Sequence, residues 1–310
     1  MEVEELVRGV LAGERRAVAR AISLVEDGRP ELERLSAGIY GATGRAVTVG
    51  ITGAPGVGKS TLAGALVGAL RADGRRVAVL AVDPTSPYTG GALLGDRVRM
   101  QEHATDPDVF IRSMATRGHL GGMALAAPEG VRILDAAGYD LVMVETVGVG
   151  QAEVEVAAAT DTTVVMVAPG LGDAVQMAKA GILEVADVFV VNKSDREGAG
   201  EVTRELRQML HLGPKRDRDP SVLSVVATTG DVSEVWAAID EHDAWARTSG
   251  ARDAKRRARL LAEVESLAAE RFKLAAASAL AADPELVSDL AERRVDPYRA
   301  AAALARRTAS

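Results

Sequence analysis

The sequence predicts an α/β fold, with a mostly parallel sheet flanked by helices. Three observations carry this expectation. Residues 46–66, A-V-T-V-G-I-T-G-A-P-G-V-G-K-S-T-L-A-G-A-L, place a glycine-rich turn between a β-branched strand and a helix. Further apolar runs such as V-A-V-L-A-V (77–82) are nearly continuous, as in strands buried on both faces of a parallel sheet. Segments of helical periodicity and polar turns separate these runs.

The glycine-rich turn comes first because the rest of the chain is arranged around it. Gly53, Gly58, Lys59 and Ser60 complete the pattern G-x-x-x-x-G-K-S/T. Backbone N–H groups can curl round an anion only where side chains stay clear, hence Gly53, Gly56 and Gly58. Gly53, Ala54, Pro55, Gly56, Val57, Gly58, Lys59, Ser60 and Thr61 are the candidate phosphate-binding residues. Lys59 is expected to reach the β/γ-phosphates and Ser60 to offer its hydroxyl to Mg²⁺. The helix starting near Lys59 points its positive end the same way. The competing reading, glycines that only make a tight turn, fits the strand-then-helix context poorly.

Bulk properties narrow the function classes. The chain has 310 residues, room for a sizeable core and roughly two domains. A net charge of −7 argues against nonspecific nucleic-acid binding, which needs a basic face. No apolar run approaches the roughly 18–20 residues of a membrane-spanning helix. The opening M-E-V-E-E-L lacks the basic-then-apolar layout of a signal peptide, so a cytoplasmic protein with no membrane partner is expected. With no cysteine, disulfides, iron–sulfur clusters and thiolate zinc sites are excluded. His103, His119, His211 and His242 are scattered, which disfavours a metal-insertion role.

Residues 1–42 read as a helical extension capping the next domain. Leu6, Val10, Val18, Ala21, Ile22 and Val25 recur at three- and four-residue intervals, and Leu32 and Leu35 suggest a further short helix after Asp27-Gly28-Arg29-Pro30. Arg15, Arg16 and Arg20 read as a solvated face. Strand 46–52 and helix 59–72 follow, then the run ending at Val82. Asp83 lies at the carboxyl end of that run, the edge where open α/β sheets bind ligands, and is a candidate near Mg²⁺; capping of a helix before proline is the alternative.

The stretch 88–100, Y-T-G-G-A-L-L-G-D-R-V-R-M, has the glycines and the charges (Asp96, Arg97, Arg99) of a loop that responds to a γ-phosphate, or of an ordinary surface loop. Val109–Ile111 reads as a short strand followed by a glycine-rich segment, 112–122, with Arg112 and Arg117. The next strand, Tyr139–Val144, delivers Glu145 and then T-V-G-V-G-Q. In P-loop proteins the acid here holds Mg²⁺, directly or through water, and the glycine three residues on, Gly148, contacts the γ-phosphate. Glutamate replaces the usual aspartate, so its longer arm suits a water-mediated contact or a water-positioning role.

Strand Thr162–Val167 precedes A-P-G-L-G-D-A-V-Q-M-A-K-A-G (168–181), which reads as opening a helix. Strand Val188–Val191 leads into Asn192-Lys193-Ser194-Asp195. N-K-x-D in this position selects guanine: the aspartate accepts from two N–H donors on the guanine edge, and adenine offers no matching pair. The last strand, Val222–Val226, ends in a loop (Val226, Ala227, Thr228) expected to close over the base, and a helix follows through Val232–Ile239. The polar stretch T-S-G-A-R-D-A-K-R-R-A-R (248–259) reads as the end of the nucleotide domain. Beyond it Leu260, Leu261, Val264, Leu267 and Ala268 form one apolar helical face, which packs on its own domain or across a homodimer. The expected domains are 1–42, 43–247 and 248–310.

The chain as a whole resembles the MeaB/ArgK family, GTPase chaperones of adenosylcobalamin-dependent acyl-CoA mutases. The resemblance rests on G-I-T-G-A-P-G-V-G-K-S-T, A-V-D-P-T-S-P-Y-T-G-G-A-L-L-G-D-R-V-R-M, E-T-V-G-V-G-Q, P-G-L-G-D-A-V-Q-M-A-K-A-G-I, N-K-S-D and the terminal D-P-Y-R-A-A-A. It implies a SIMIBI-class GTPase that binds GTP/GDP with Mg²⁺ and forms a homodimer through its C-terminal arm. It also implies that the protein binds such a mutase, gates cofactor loading and protects or reactivates it, while holding no cobalamin itself. Carried over by motif, Ser60, Asp83, Asp96 and Glu145 would surround the metal and γ-phosphate, Lys59 and Arg99 would offset charge, and Gln176 and Lys179 would lie on a further switch ordered by the partner. Two departures stand out. Val226-Ala227 replaces the family's S-A, losing a hydroxyl contact. Met177-Ala178 replaces Gly-Ile or Gly-Leu, which points to a client other than methylmalonyl-CoA mutase. No glutamine directly follows E-T-V-G, so intrinsic hydrolysis is expected to be slow and partner-stimulated. A P-loop kinase acting on a small metabolite, a metal-insertion GTPase and a non-catalytic scaffold are the rivals.

Overall fold

The apolar runs become the strands of one sheet. The structure is a computed structural model and describes residues 2–84, 103, 105–116, 123–146, 156–170 and 182–308. Strands β1 (Val47–Gly53), β2 (Val77–Pro84), β3 (Val109–Thr116), β4 (Leu141–Thr146), β5 (Thr162–Val167), β6 (Val188–Val191) and β7 (Ser221–Ser224) lie in the order β3-β2-β4-β1-β5-β6-β7. Every pairing among the described residues is parallel. β4 and β6 are buried along their whole length, which is why their sequences run without polar alternation.

Helices cover both faces. On one, α1 (Val3–Leu11), α2 (Arg15–Glu26) and α3 (Glu31–Ile39) share a core with α5 (Met123–Ala136) and with Ala78, Leu80, Val142 and Val144 of the sheet. On the other, α4 (Lys59–Ala72) and α8 (Ser233–Ser249) pack on Val49, Ile51, Val79, Met143, Val164 and Val190. A short helix, α6 (Ile182–Val185), precedes β6, and α7 (Ala199–Leu212) packs on β6 and β7. Strand alternation assigns the faces: successive residues of each strand enter opposite cores.

The chain divides into two compact units, Met1–Arg259 and Leu260–Ser310. The first holds the sheet. The second comprises the later turns of α9 (Ala251–Ala281), α10 (Pro284–Ala291) and α11 (Pro297–Thr308). In it Asp283 caps α10, accepting from the Leu286 N–H at 2.9 Å, and Pro284 takes the first helical position.

The packed structure departs from several expectations raised by the sequence. Arg15 is not simply solvated: its guanidinium donates to the carbonyls of Asp106 (3.1 Å) and Val109 and lies 5.9 Å from the Phe110 ring centre. Residues 112–116 are strand, not loop, and β3 pairs with β2 from Val77↔Val109 to Pro84↔Thr116. β3 is an edge strand, so it tolerates Arg112, which donates to Ala19 O (2.9 Å), Ser23 Oγ (2.9 Å) and the Glu26 carboxylate on α2. Asp83 lies within β2, not at a helix cap.

The polar stretch 248–259 is itself structured. Gly250, with φ +78°, ends α8, and Arg252, Lys255, Arg256 and Arg259 then share one face of the first turns of α9. Arg256 bonds Asp161 at 2.6 and 3.0 Å and also donates to the Gly44 and Ala46 carbonyls at 2.7 and 3.0 Å. Lys255 lies 3.6 Å from Asp187, Arg259 3.4 Å from Asp161, and Arg252 3.1 Å from Asp243. These aspartates are buried or nearly so, and Asp161 and Asp187 stand at the entrances to β5 and β6. The buried His242 completes the cluster, bonding Thr162 at 2.9 Å and Asp187 at 3.2 Å.

Candidate nucleotide-binding site

β1 runs straight into the turn that the sequence singled out, and α4 begins at Lys59 directly after it. Two of its glycines are required by space as well as by backbone. Gly53 has φ +136°, and a Cβ there would sit 2.2 Å from the Met166 carbonyl of β5. Gly58 has φ +104°, and a Cβ would sit 2.3 Å from Asn192 Nδ2. The loop therefore fits against β5 and β6 only without side chains at these points.

Lys59 is buried, and its ammonium donates to Gly53 O at 2.7 Å and Ala54 O at 3.1 Å, so it is held over the loop it is expected to serve. Ser60, in the first turn of α4, donates to Glu145 Oε1 at 2.7 Å, and both residues are buried. The acid near the end of β4 and the hydroxyl at the start of α4 thus meet, as the motif order implies. One residue to the other side of each motif, Thr52 and Thr146 share a buried hydrogen bond at 3.1 Å.

The segment after β6 ties three loops together. The buried Asn192 side chain donates to Val57 O at 2.7 Å and accepts from the Ala227 N–H at 3.0 Å. Its own N–H donates to Val167 O at 2.8 Å. Lys193 takes a left-handed backbone, φ +56°, uncommon for a lysine, and donates to Gly56 O at 2.7 Å. Ser194 N–H donates to Val225 O at 3.0 Å, which holds the loop after β7 beside the N-K-S-D segment. Asp195 is exposed at the end of this arrangement. Val226 is half-buried, Ala227 buried and Thr228 exposed in that loop, and Pro55, Gly56 and Thr61 lie at the surface side of the P-loop region.

Of the expected site residues, Asp96, Arg99, Gly148, Gln176 and Lys179 lie outside the described residues, as do Met177-Ala178, and for Asp83 only the backbone is described. Sequence reasoning gave no role to Thr52 and Thr146, although a threonine directly beside each motif was a visible signal. It also read Asn192 only as part of the guanine-selecting N-K-S-D motif, whereas its amide braces the P-loop.

Residues 18–281 match the family model described as methylmalonyl-CoA mutase-associated GTPase MeaB. A relative in Pyrococcus horikoshii, named as a GTPase, is 47% identical over 304 residues, with 96% of each chain covered. GTPase ArgK of Escherichia coli is 40% identical over 245 residues, covering 76% of this chain and 74% of its own. Among solved structures, one described as a LAO/AO transport system kinase superposes with a TM-score of 0.70 at 27% identity, covering 99% of this chain and 98% of that one.

Proposed function

The chain belongs to the MeaB family of methylmalonyl-CoA mutase-associated GTPases, and on that premise we propose that it couples GTP hydrolysis to the care of an adenosylcobalamin-dependent acyl-CoA mutase, gating cofactor loading and protecting or reactivating the enzyme. The observation that carries this reading is the family match over residues 18–281 together with a P-loop, acid and N-K-S-D segment hydrogen-bonded into one site. Lys59 and the first N–H groups of α4 would meet the β/γ-phosphates, Asp195 would accept from the guanine edge, and Asn192 would hold both loops in register.

Ser60 and Glu145 supply only oxygen donors, a set suited to a hard cation such as Mg²⁺. With Asp83 and Asp96 assigned by resemblance, these residues would hold it, and the ion would neutralise charge developing on the phosphates. Positioning and electrostatics carry most of phosphoryl transfer, so a site with no glutamine after E-T-V-G should turn over slowly until a partner orders its loops.

Phosphate release measured with and without a cobalamin-dependent acyl-CoA mutase tests the reading. At least about tenfold stimulation is expected, since partner-supplied groups can contribute far more. Running the assay with methylmalonyl-CoA mutase and with a second mutase of the class identifies the client; no stimulation by either overturns the assignment. Asp195→Asn is expected to weaken GTP binding by about 10²-fold or more and to improve XTP binding, because an amide reverses one hydrogen bond at the base. Unchanged GTP affinity in a fluorescent-nucleotide titration would remove Asp195 from the site.

Dimerisation belongs to the same proposal. Within the second unit Leu261 and Val264 are 60% and 63% exposed, and Leu260, Leu267 and Phe272 are also exposed. Such a stripe on a long helix suits a second copy of the chain. Leu261→Asp with Val264→Asp is expected to shift sedimentation from dimer to monomer while leaving nucleotide affinity intact; a wild-type monomer would refute the proposed dimer.

A further inference from the structure

The backbone ladder between β1 and β4 runs from Val47↔Leu141 to Ile51↔Glu145 and ends there. Past that point the two strands pair with other neighbours: Thr52 and Gly53 with Val165 and Met166 of β5, and Thr146 with Val82 of β2. The strands nevertheless remain joined for one more residue, through side chains. Thr52 Oγ1 and Thr146 Oγ1 lie 3.1 Å apart, and neither residue has any measurable exposure.

Thr146 also differs in chemistry from the residues before it on its face of β4. The preceding positions on β4, Val142 and Val144, are apolar and fully buried, and valine would match threonine in shape. A buried hydroxyl is costly unless it is hydrogen-bonded, so each threonine is acceptable because of the other. Thr52 directly precedes Gly53, the first residue of the phosphate loop. Thr146 directly follows Glu145. Because successive side chains leave opposite faces of a strand, the junction is fastened on both sides: Ser60 to Glu145 on the α4 face, and Thr52 to Thr146 on the other.

We propose that Thr52 and Thr146 are positioning residues for GTP hydrolysis. Their hydroxyl pair holds the end of β4 against the root of the phosphate loop and so fixes where the Glu145 carboxylate stands relative to Ser60. The proposal rests on the assignment of Glu145 to the metal and γ-phosphate region. Base and phosphate binding are assigned to Lys59, Asn192 and Asp195, whereas the pair bonds across the ends of β1 and β4, so its loss should appear in turnover rather than in affinity.

The test compares Thr52→Val, Thr146→Val, the double variant, Thr146→Ser and Glu145→Gln in the full-length protein, with GTP turnover and fluorescent-GDP affinity as readouts. Thr146→Val is expected to lower kcat about tenfold, because small misplacements at a reacting centre cost that much or more, with KM and GDP affinity within about twofold. Thr146→Ser, which keeps the hydroxyl, should restore most of the rate. The double variant should be no slower than either single one, since the interaction is already gone, and it should unfold near the wild-type temperature because no hydroxyl is left orphaned. Unchanged kcat in Thr146→Val and in the double variant, while Glu145→Gln is impaired, overturns the pair's role alone. A Thr146→Ser rate as low as that of Thr146→Val does the same. Unchanged kcat in Glu145→Gln overturns the assignment of Glu145 and the proposal with it.

Discussion

Lys59→Ala is expected to lower kcat for GTP hydrolysis by about 10²–10³-fold while the protein stays folded. The ammonium is the cation that the P-loop itself holds in place, bonded to Gly53 O and Ala54 O. A fixed donor aimed at developing charge in a water-poor site contributes on this scale. Its structural contribution is smaller. Two hydrogen bonds to loop carbonyls are worth about 1 kcal/mol each, which amounts to a shift of only a few degrees in Tm for a chain of this size. Phosphate release and thermal unfolding of the same preparation separate the two effects. A variant that retains its rate would mean that phosphate charge is offset elsewhere.

Asp161→Ala is expected to destabilise the fold by about 3–5 kcal/mol, because it strands the charge of Arg256 in a half-buried position. That corresponds to a fall in Tm of roughly 5–8 °C. Burial by itself would push the Asp161 carboxyl up, but the Arg256 hydrogen bonds and charge, Arg259 and Thr48 outweigh it and hold the group below the ordinary aspartate value. Asp187 is likewise pushed up by burial and brought below that value by His242, Lys255 and the Thr163 N–H. A folded-state value below the unfolded one gives stability that is present above about pH 4 and is lost as pH falls through the folded value. Denaturant melts from pH 6 downward should therefore show the wild type losing stability below about pH 4. Asp161→Ala should lose less over the same range, and parallel curves would show that the aspartate titrates normally.

Legibility followed from where the determining contacts lie. Strands β5 and β6 and helix α4 match the sequence reading residue for residue, since each is set by an apolar run or by a glycine-to-helix transition within a few positions. β3 was read three residues long and is eight, because Arg112 and Ser113 break the apolar pattern. Arg112 is accommodated by α2, 86 to 93 positions earlier in the chain. The basic residues after Gly250 read as a polar break ending the nucleotide domain because their partners lie far away: Arg256 meets Asp161 across 95 positions and Gly44 across 212.

The sequence by itself determined the GTPase class, since the G-x-x-x-x-G-K-S and N-K-S-D signatures are short contiguous motifs that can be read without knowing the fold. It also determined the family and the parallel α/β sheet. Only the tertiary structure decided how those motifs are held: Ser60 against Glu145, Asn192 across Val57 and Ala227, Thr52 beside Thr146, and the first turns of α9 against Asp161 and Asp187. Each of these contacts joins residues from different strands or loops. A buried polar group takes whichever partner the packed sheet brings within about 3 Å, and that neighbour is fixed by strand order rather than by position along the chain.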